Sequence, residues 1–248
     1  AMTTGYTPLP ETSTSDLVAD RLRDAILAGD LKSGDRLIET DLAERFEISR
    51  GPVREAIRQL VPEGLVVLRR NRGAVVASPT LDDVLEVYAV RLSLGTVALQ
   101  QAARVQTVAS PQFQGAAKRL ELLRNRSIQE DAQLMLEADL AFQDALLSLS
   151  QLPRMSALLA QSARDAASFV RMLGVTYDNT DHAALIQRHE VLLDAIRAGS
   201  PTAATGAWHQ HIRATVEEFT RCYDDPDHTD ISQHPLANLV LANTLEKP

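Results

Sequence analysis

Arg50, Arg54 and Arg58 follow one another at intervals of four residues. On a helix that spacing puts all three on one face. A planar guanidinium reads guanine bidentately or clamps a phosphate, so such a row suits a helix laid in the major groove of duplex DNA. Ser49 stands just before the row, where a hydroxyl and the helix dipole both favour a phosphate. Further along, Arg72-Gly73 closes a basic stretch; Gly73 lets backbone approach the duplex, and Arg72 reaches the minor groove or phosphate.

A second constellation lies far from the first. Asp139 and Gln143 are four residues apart, about 40° on a helix, flanked by Met135, Leu136, Phe142, Leu146 and Leu147. Asp139 therefore points inward, and an inward carboxylate must be paired or bound to a metal. His189 sits on an apolar arc with Leu185, Ile186, Leu192, Leu193 and Ile196, and His211 on one with Ala204, Ala207, Trp208 and Ala214. Gly199-Ser200-Pro201 separates them symmetrically, so an antiparallel helix pair sets both imidazoles at one level. One carboxylate and two imidazoles suit a first-row divalent ion, with zinc as the default. The same residues also make a hydrogen-bonded Asp–His–His cluster with water, and both readings stand. Arg91 lies among Val84, Val87, Tyr88 and Leu94, and an inward guanidinium needs an anion. That anion is either a small carboxylate ligand or a structural partner such as Asp139. His209 falls on the opposite face from His211 and is expected to be exposed.

The elements that must position these groups follow from the pattern of the chain. Of 248 residues, 45% are apolar, 23% charged and only 4% aromatic, which favours helix packing over a β-sandwich. No apolar run approaches the roughly 20 residues of a membrane span. The single cysteine, Cys222, offers no internal disulfide, and the cytoplasm is the expected location. The net charge of −8 is unevenly spread. Residues 14–78 hold eleven Lys/Arg and eleven Asp/Glu, whereas 79–248 hold 14 against 21. Within the neutral part, residues 50–72 carry six arginines against Glu55 and Glu63, a local footprint for a polyanion.

Residues 1–13 read as a loose tail. Helices are predicted from Ser15, on an apolar face of Leu17, Val18, Leu22 and Ile26, then over 41–46 with Thr40 as N-cap, then over 50–60. Two β-prone runs, 65–68 and 74–76, flank a turn with Asn71 and Gly73. Helix–helix–helix–hairpin is the plan of a winged helix-turn-helix with a two-stranded wing, over residues 14–78. From 79 to 223 the punctuation predicts an antiparallel helical bundle of six or seven helices: 81–104, 111–126, 129–149, 153–173, 182–198 and 202–222. Residues 224–248 read as a mostly irregular C-terminal tail, in which 236–245 could form a short helix.

The residues Ile26-Leu27-Ala28-Gly29-Asp30-Leu31, Gly34-Asp35-Arg36-Leu37-Ile38-Glu39, Ile48-Ser49-Arg50-Gly51-Pro52-Val53-Arg54-Glu55-Ala56-Ile57 and Glu63-Gly64-Leu65 resemble the DNA-binding domain of GntR-family bacterial regulators. The helical remainder resembles the ligand-sensing FCD domain of the FadR-type branch. The resemblance implies that Arg50, Arg54 and Gly73 contact DNA, with Ser49 and Gly51 beside them. Thr40 stands at a contact position of the second helix where some relatives carry arginine. It further implies a metal set of Asp139, position 143, His189 and His211, with Gln143 standing where relatives have histidine, and an effector pocket faced by Arg91. Gly95 stands where relatives often carry glutamate.

The expected function is that of a ligand-responsive transcriptional regulator, a repressor. It would bind a near-palindromic operator as a homodimer, through Thr40, Ser49, Arg50, Gly51, Arg54, Arg58, Arg72 and Gly73. A small carboxylate effector would bind near Arg91 and the metal centre. The alternative is a metal-dependent hydrolase using Asp139, His189 and His211 with Glu190 as base, which the absence of a His-Glu-x-x-His spacing disfavours. A metal-storage bundle would leave the arginine row unexplained.

Overall fold

The computed structural model describes residues 13–70, 72–105, 108–175, 181–223 and 234–243. The chain divides into two compact units, residues 1–78 and 79–248.

The first unit runs α1 (Thr14–Leu27), β1 (Arg36–Leu37), α2 (Glu39–Arg45), α3 (Arg50–Leu60), β2 (Val66–Arg69) and β3 (Gly73–Val76). α1 opens with a capping box in which Ser13 and Asp16 each accept the other's backbone N–H. Val18, Leu22 and Ile26 form its buried face, and α1 packs on α3 beside Val53, Ile57 and Leu60. Leu17, expected on that face, is exposed; it lies at the edge of the stripe. Two polar contacts fasten the pair: Arg23 donates to both carboxylate oxygens of Glu63 at 2.7 Å, and Gln59 donates to Asp16 at 2.9 Å.

α2 begins two residues earlier than expected. Ile38 is its N-cap, because the Leu42 amide already bonds the Ile38 carbonyl at 3.0 Å. Thr40 is therefore no cap. It lies within the first turn, exposed, with its hydroxyl donating to Asp41 at 3.1 Å. Glu47 takes a left-handed φ of 53° in the short break between α2 and α3. The hairpin of β2 and β3 is joined by β1, giving a three-stranded antiparallel sheet in the order β1-β3-β2, where two strands were expected. Two residues are too few to show any alternation, which hid β1 from the sequence.

The second unit is helical: α4 (Leu81–Val105), α5 (Pro111–Leu122), α6 (Arg126–Gln129), α7 (Ala132–Ser148), α8 (Pro153–Met172), α9 (His182–Arg197), α10 (Pro201–Cys222) and α11 (Pro235–Asn243). Ser110 and Ser200 cap α5 and α10 ahead of a proline that needs no amide partner at the first position. Asp131 accepts from the Gln133 and Leu134 amides and so starts α7 later than the expected 129. α4 runs through the core, packed by α8, α10 and α11. The C-terminal segment is not simply a tail: α11 buries Ala237 and Val240, and its Leu241 carbonyl accepts from Arg213 at 3.1 Å. The loose N-terminal tail expected at 1–13 lies, but for Ser13, outside the described residues, as do 224–233 and 244–248.

Candidate functional site

Val53, Ala56, Ile57 and Leu60 bury one side of α3, so the remaining positions must face out. Arg50, Arg54 and Arg58 do, with 59%, 51% and 65% of their side chains open to solvent. Ser49 is the exposed N-cap of α3 and spends no side-chain bond on the helix. Gly51 is exposed, and a Cβ there would touch nothing within 4 Å. Gly73 holds a φ of 71°, beyond what a side chain readily accepts, and Arg72 beside it is exposed.

Glu39 was missed in the sequence. Its carboxylate accepts from Arg54 Nε at 3.1 Å and Nη2 at 3.0 Å, and lies 3.6 Å from Arg50. The hydrogen bonds from Arg54 hold the Glu39 carboxyl below the usual carboxylate range and push the Arg54 guanidinium up. Glu39 and Arg54 are fifteen residues apart on different helices, so no spacing rule could pair them.

In the helical unit, α7, α9 and α10 bring Asp139, His189 and His211 together, all buried, with one ligand atom from each within 4.8 Å of the others. The His189 and His211 ring centroids are 4.8 Å apart, and Phe142 lies 4.5 Å from His189. His189 Nε2 hydrogen-bonds Asp139 Oδ1, and the Gln143 amide donates to the same oxygen at 3.0 Å. Burial opposes ionisation of Asp139, but the two imidazoles and the Gln143 amide outweigh it and hold the carboxyl at about 2. Burial pushes His211 the other way, well below its ordinary value, and His189 and Arg188 reinforce the shift. His211 is thus neutral at pH 7, and neither of its ring nitrogens has a hydrogen-bond partner among the described residues. Neutral imidazole with an open lone pair beside an ionised carboxylate is the donor set a divalent ion takes, so the residues fit a metal.

Arg91 is fully buried and, among the described residues, meets no carboxylate directly. It donates through Nη1 to the Leu159 carbonyl at 3.1 Å and to Ser162 Oγ at 3.2 Å, and through Nη2 to Gln143 Oε1 at 2.7 Å. Gln143 thus stands between Arg91 and Asp139, with its oxygen spent on one and its amide on the other. A pocket of about 60 Å³ opens against this cluster, lined by Tyr88, Asp139, Gln143, Arg188, His211 and Glu218 among others; Arg91 is not in its wall. Arg188 had a sequence signal that went unused, for it shares the apolar spacing of Leu185 and Leu192.

Gly95 is the point of closest helix approach. A Cβ there would fall 2.5–2.6 Å from Cε2 and Cζ2 of Trp208, whose indole stacks on His211 at 5.5 Å and donates to the Arg91 carbonyl at 3.1 Å. His209, expected exposed, is half-buried and hydrogen-bonds Thr96 at 3.0 Å, because α4 covers that side of α10. Asp144 on α7 is half-buried; burial raises its carboxyl against the pull of Arg91 and Arg164. Glu190, the base a hydrolase would need, is ion-paired to Arg124.

The chain matches the gntR family of bacterial regulatory proteins over residues 14–76 and the FCD domain over residues 86–214. It belongs to the GntR family, in the branch with an FCD domain. This GntR regulator is 28% identical over 209 residues to the gluconate operon transcriptional repressor of Bacillus subtilis (strain 168), covering 82% of this chain and 84% of that one. It is 27% identical over 216 residues to the HTH-type transcriptional regulator BphR of Paraburkholderia xenovorans (strain LB400), covering 84% and 87%. A solved structure described as a transcriptional regulator GntR from Rhodococcus sp. RHA1 superposes with a TM-score of 0.65 at 29% identity, covering 86% of this chain and all of that one. The GntR regulator is a DNA-binding transcription factor and not an enzyme. No helix among its described residues is long and apolar enough to cross a membrane.

Proposed function

We propose that this GntR regulator is a repressor whose operator affinity is set by a small carboxylate bound in the helical unit. One observation carries the reading: a single chain joins an open arginine row on α3 to a buried, metal-ready cluster that opens on a pocket. The first is made for a duplex and the second for a small ligand. That the Bacillus subtilis relative is a repressor of a gluconate operon supports both the sense of regulation and the chemical class.

In this reading Arg54 and Arg50 read base edges while Thr40, Ser49, Gly51, Arg58, Arg72 and Gly73 hold the phosphates and the wing against the duplex. The operator is near-palindromic and the protein a homodimer, since two half-sites about a helical turn apart need two recognition helices. Asp139, His189 and His211 hold the divalent ion, with zinc the first choice, and Gln143, whose amide donates to Asp139, steadies that carboxylate beside it. When bound, the ion supplies a positive centre that a carboxylate oxygen can ligate. The effector favours one of two arrangements of the bundle, acting only through its differential affinity for them. Arg91 keeps Gln143 and the carboxylate of Asp139 aligned for that ligand.

The test is a mobility-shift assay on a DNA fragment selected by the protein from its own genome, with and without acetate, lactate, gluconate and citrate. Release of the fragment by at least one acid is the expected result. Indifference to all four would overturn the effector reading, and indifference to every fragment at low ionic strength would overturn the regulator reading.

A further inference from the structure

We propose that Arg188 is the side chain that grips the effector's carboxylate, in the pocket against Asp139 and His211. The inference rests on the effector reading above and names the residue that carries it. Arg91, which the resemblance points to, is placed behind Gln143 and away from the pocket wall. Its terminal nitrogens are committed to Leu159, Ser162 and Gln143, so an anion would have to break buried hydrogen bonds to reach it.

Arg188 is in the opposite situation. It is half-buried in the pocket wall and is the sole arginine or lysine there among the described residues. Among the described residues it forms no ion pair with a carboxylate, and its buried Nε–H finds no acceptor. Arg91 and Arg171 also have an acceptor-free Nε–H, but Arg91 is bonded as above and Arg171 pairs with Glu137 at 3.3 Å. A buried donor without an acceptor is a cost the fold carries until something supplies one. The Nε–H and Nη–H edge of a guanidinium presents two parallel donors at the spacing of a carboxylate. Arg188 is thus set to bind an anion side-on at the place where the pocket needs one.

Charge narrows the ligand class. Asp139 and Glu218 in the same wall repel an anion, and Arg188 is the one guanidinium that the described wall offers it. A divalent ion held by Asp139, His189 and His211 would offset the negative charge of Asp139 and leave Arg188 to take the carboxylate. A pocket of about 60 Å³ suits a short carboxylic acid.

The test is calorimetric titration of the zinc-loaded full chain with acetate, lactate, gluconate and citrate, on wild type, Arg188→Gln and Arg188→Lys. The expected result is that the tightest acid binds Arg188→Gln about ten- to a hundredfold more weakly, with Arg188→Lys between. The neutral amide of that acid should bind all three alike and weakly, which a merely structural role for Arg188 would not produce. Equal affinity of wild type and Arg188→Gln for the acid would overturn the assignment and leave the effector reading standing. Wild type binding none of the four would overturn both. If Arg188→Gln does not fold, Arg188→Lys decides alone: a drop of about threefold or more supports the assignment, and a smaller change overturns it.

Discussion

Gln143 accepts a hydrogen bond from Arg91 at 2.7 Å and passes one on to Asp139 at 3.0 Å, so a neutral amide links the buried guanidinium to the buried carboxylate. Both functions of the amide are used, and the hydrocarbon analogue would strand a donor on one side and weaken an acceptor on the other. Gln143→Leu should therefore cost about 2–4 kcal/mol of stability, read as a lower urea midpoint. Gln143→His should instead tighten zinc binding by on the order of tenfold, read by competition with a chelator, because imidazole is a better zinc ligand than an amide.

Glu39 and Arg54 give a second expectation, on DNA. Loss of a bidentate base contact weakens specific binding by about ten- to a hundredfold, so Arg54→Ala should fall by that much on the selected fragment and far less on unrelated DNA. Glu39→Gln removes an anion from the same face and loosens the clamp on Arg54. Unrelated DNA should then bind more tightly while the ratio of specific to unrelated affinity shrinks, measured by mobility shift at two salt concentrations.

Gly95 is a steric prediction. With indole carbons 2.5–2.6 Å from where a Cβ would stand, Gly95→Ala forces α4 and α10 apart or turns Trp208 off His211. Destabilisation of about 1–3 kcal/mol or more is expected by chemical denaturation. Pairing it with Trp208→Phe, a smaller ring, should recover part of the loss. Simple additivity of the two changes would argue against direct contact as the cause.

The metal-stripped protein should lose stability toward acid in two stages. His211 is depressed in the folded state, so the unfolded chain takes up a proton first and stability falls as pH drops through about 6.5. Asp139 is also depressed, to about 2 from an ordinary 3.8, so its contribution is complete above pH 4 and disappears as pH falls toward 2. Thermal melts from pH 8 to pH 2 would check both, and His211→Phe should abolish the earlier stage.

What could be read from the sequence was whatever repeats locally. The 3.6-residue period put Arg50, Arg54 and Arg58 on one face and Asp139, His189 and His211 on apolar ones, and capping and proline signals marked the helices. The winged plan was legible too, except for β1, whose two residues carry no pattern. The tertiary structure decided which of those faces meet and what each polar atom finds there. Glu39 reaches Arg54 across a helix-turn-helix, Trp208 occupies the space Gly95 leaves, and Arg91 settles on Gln143 while Arg188 is left facing the pocket. Helical periodicity fixes the direction of a side chain about its own axis, whereas partners depend on the depth and rotation at which two helices pack.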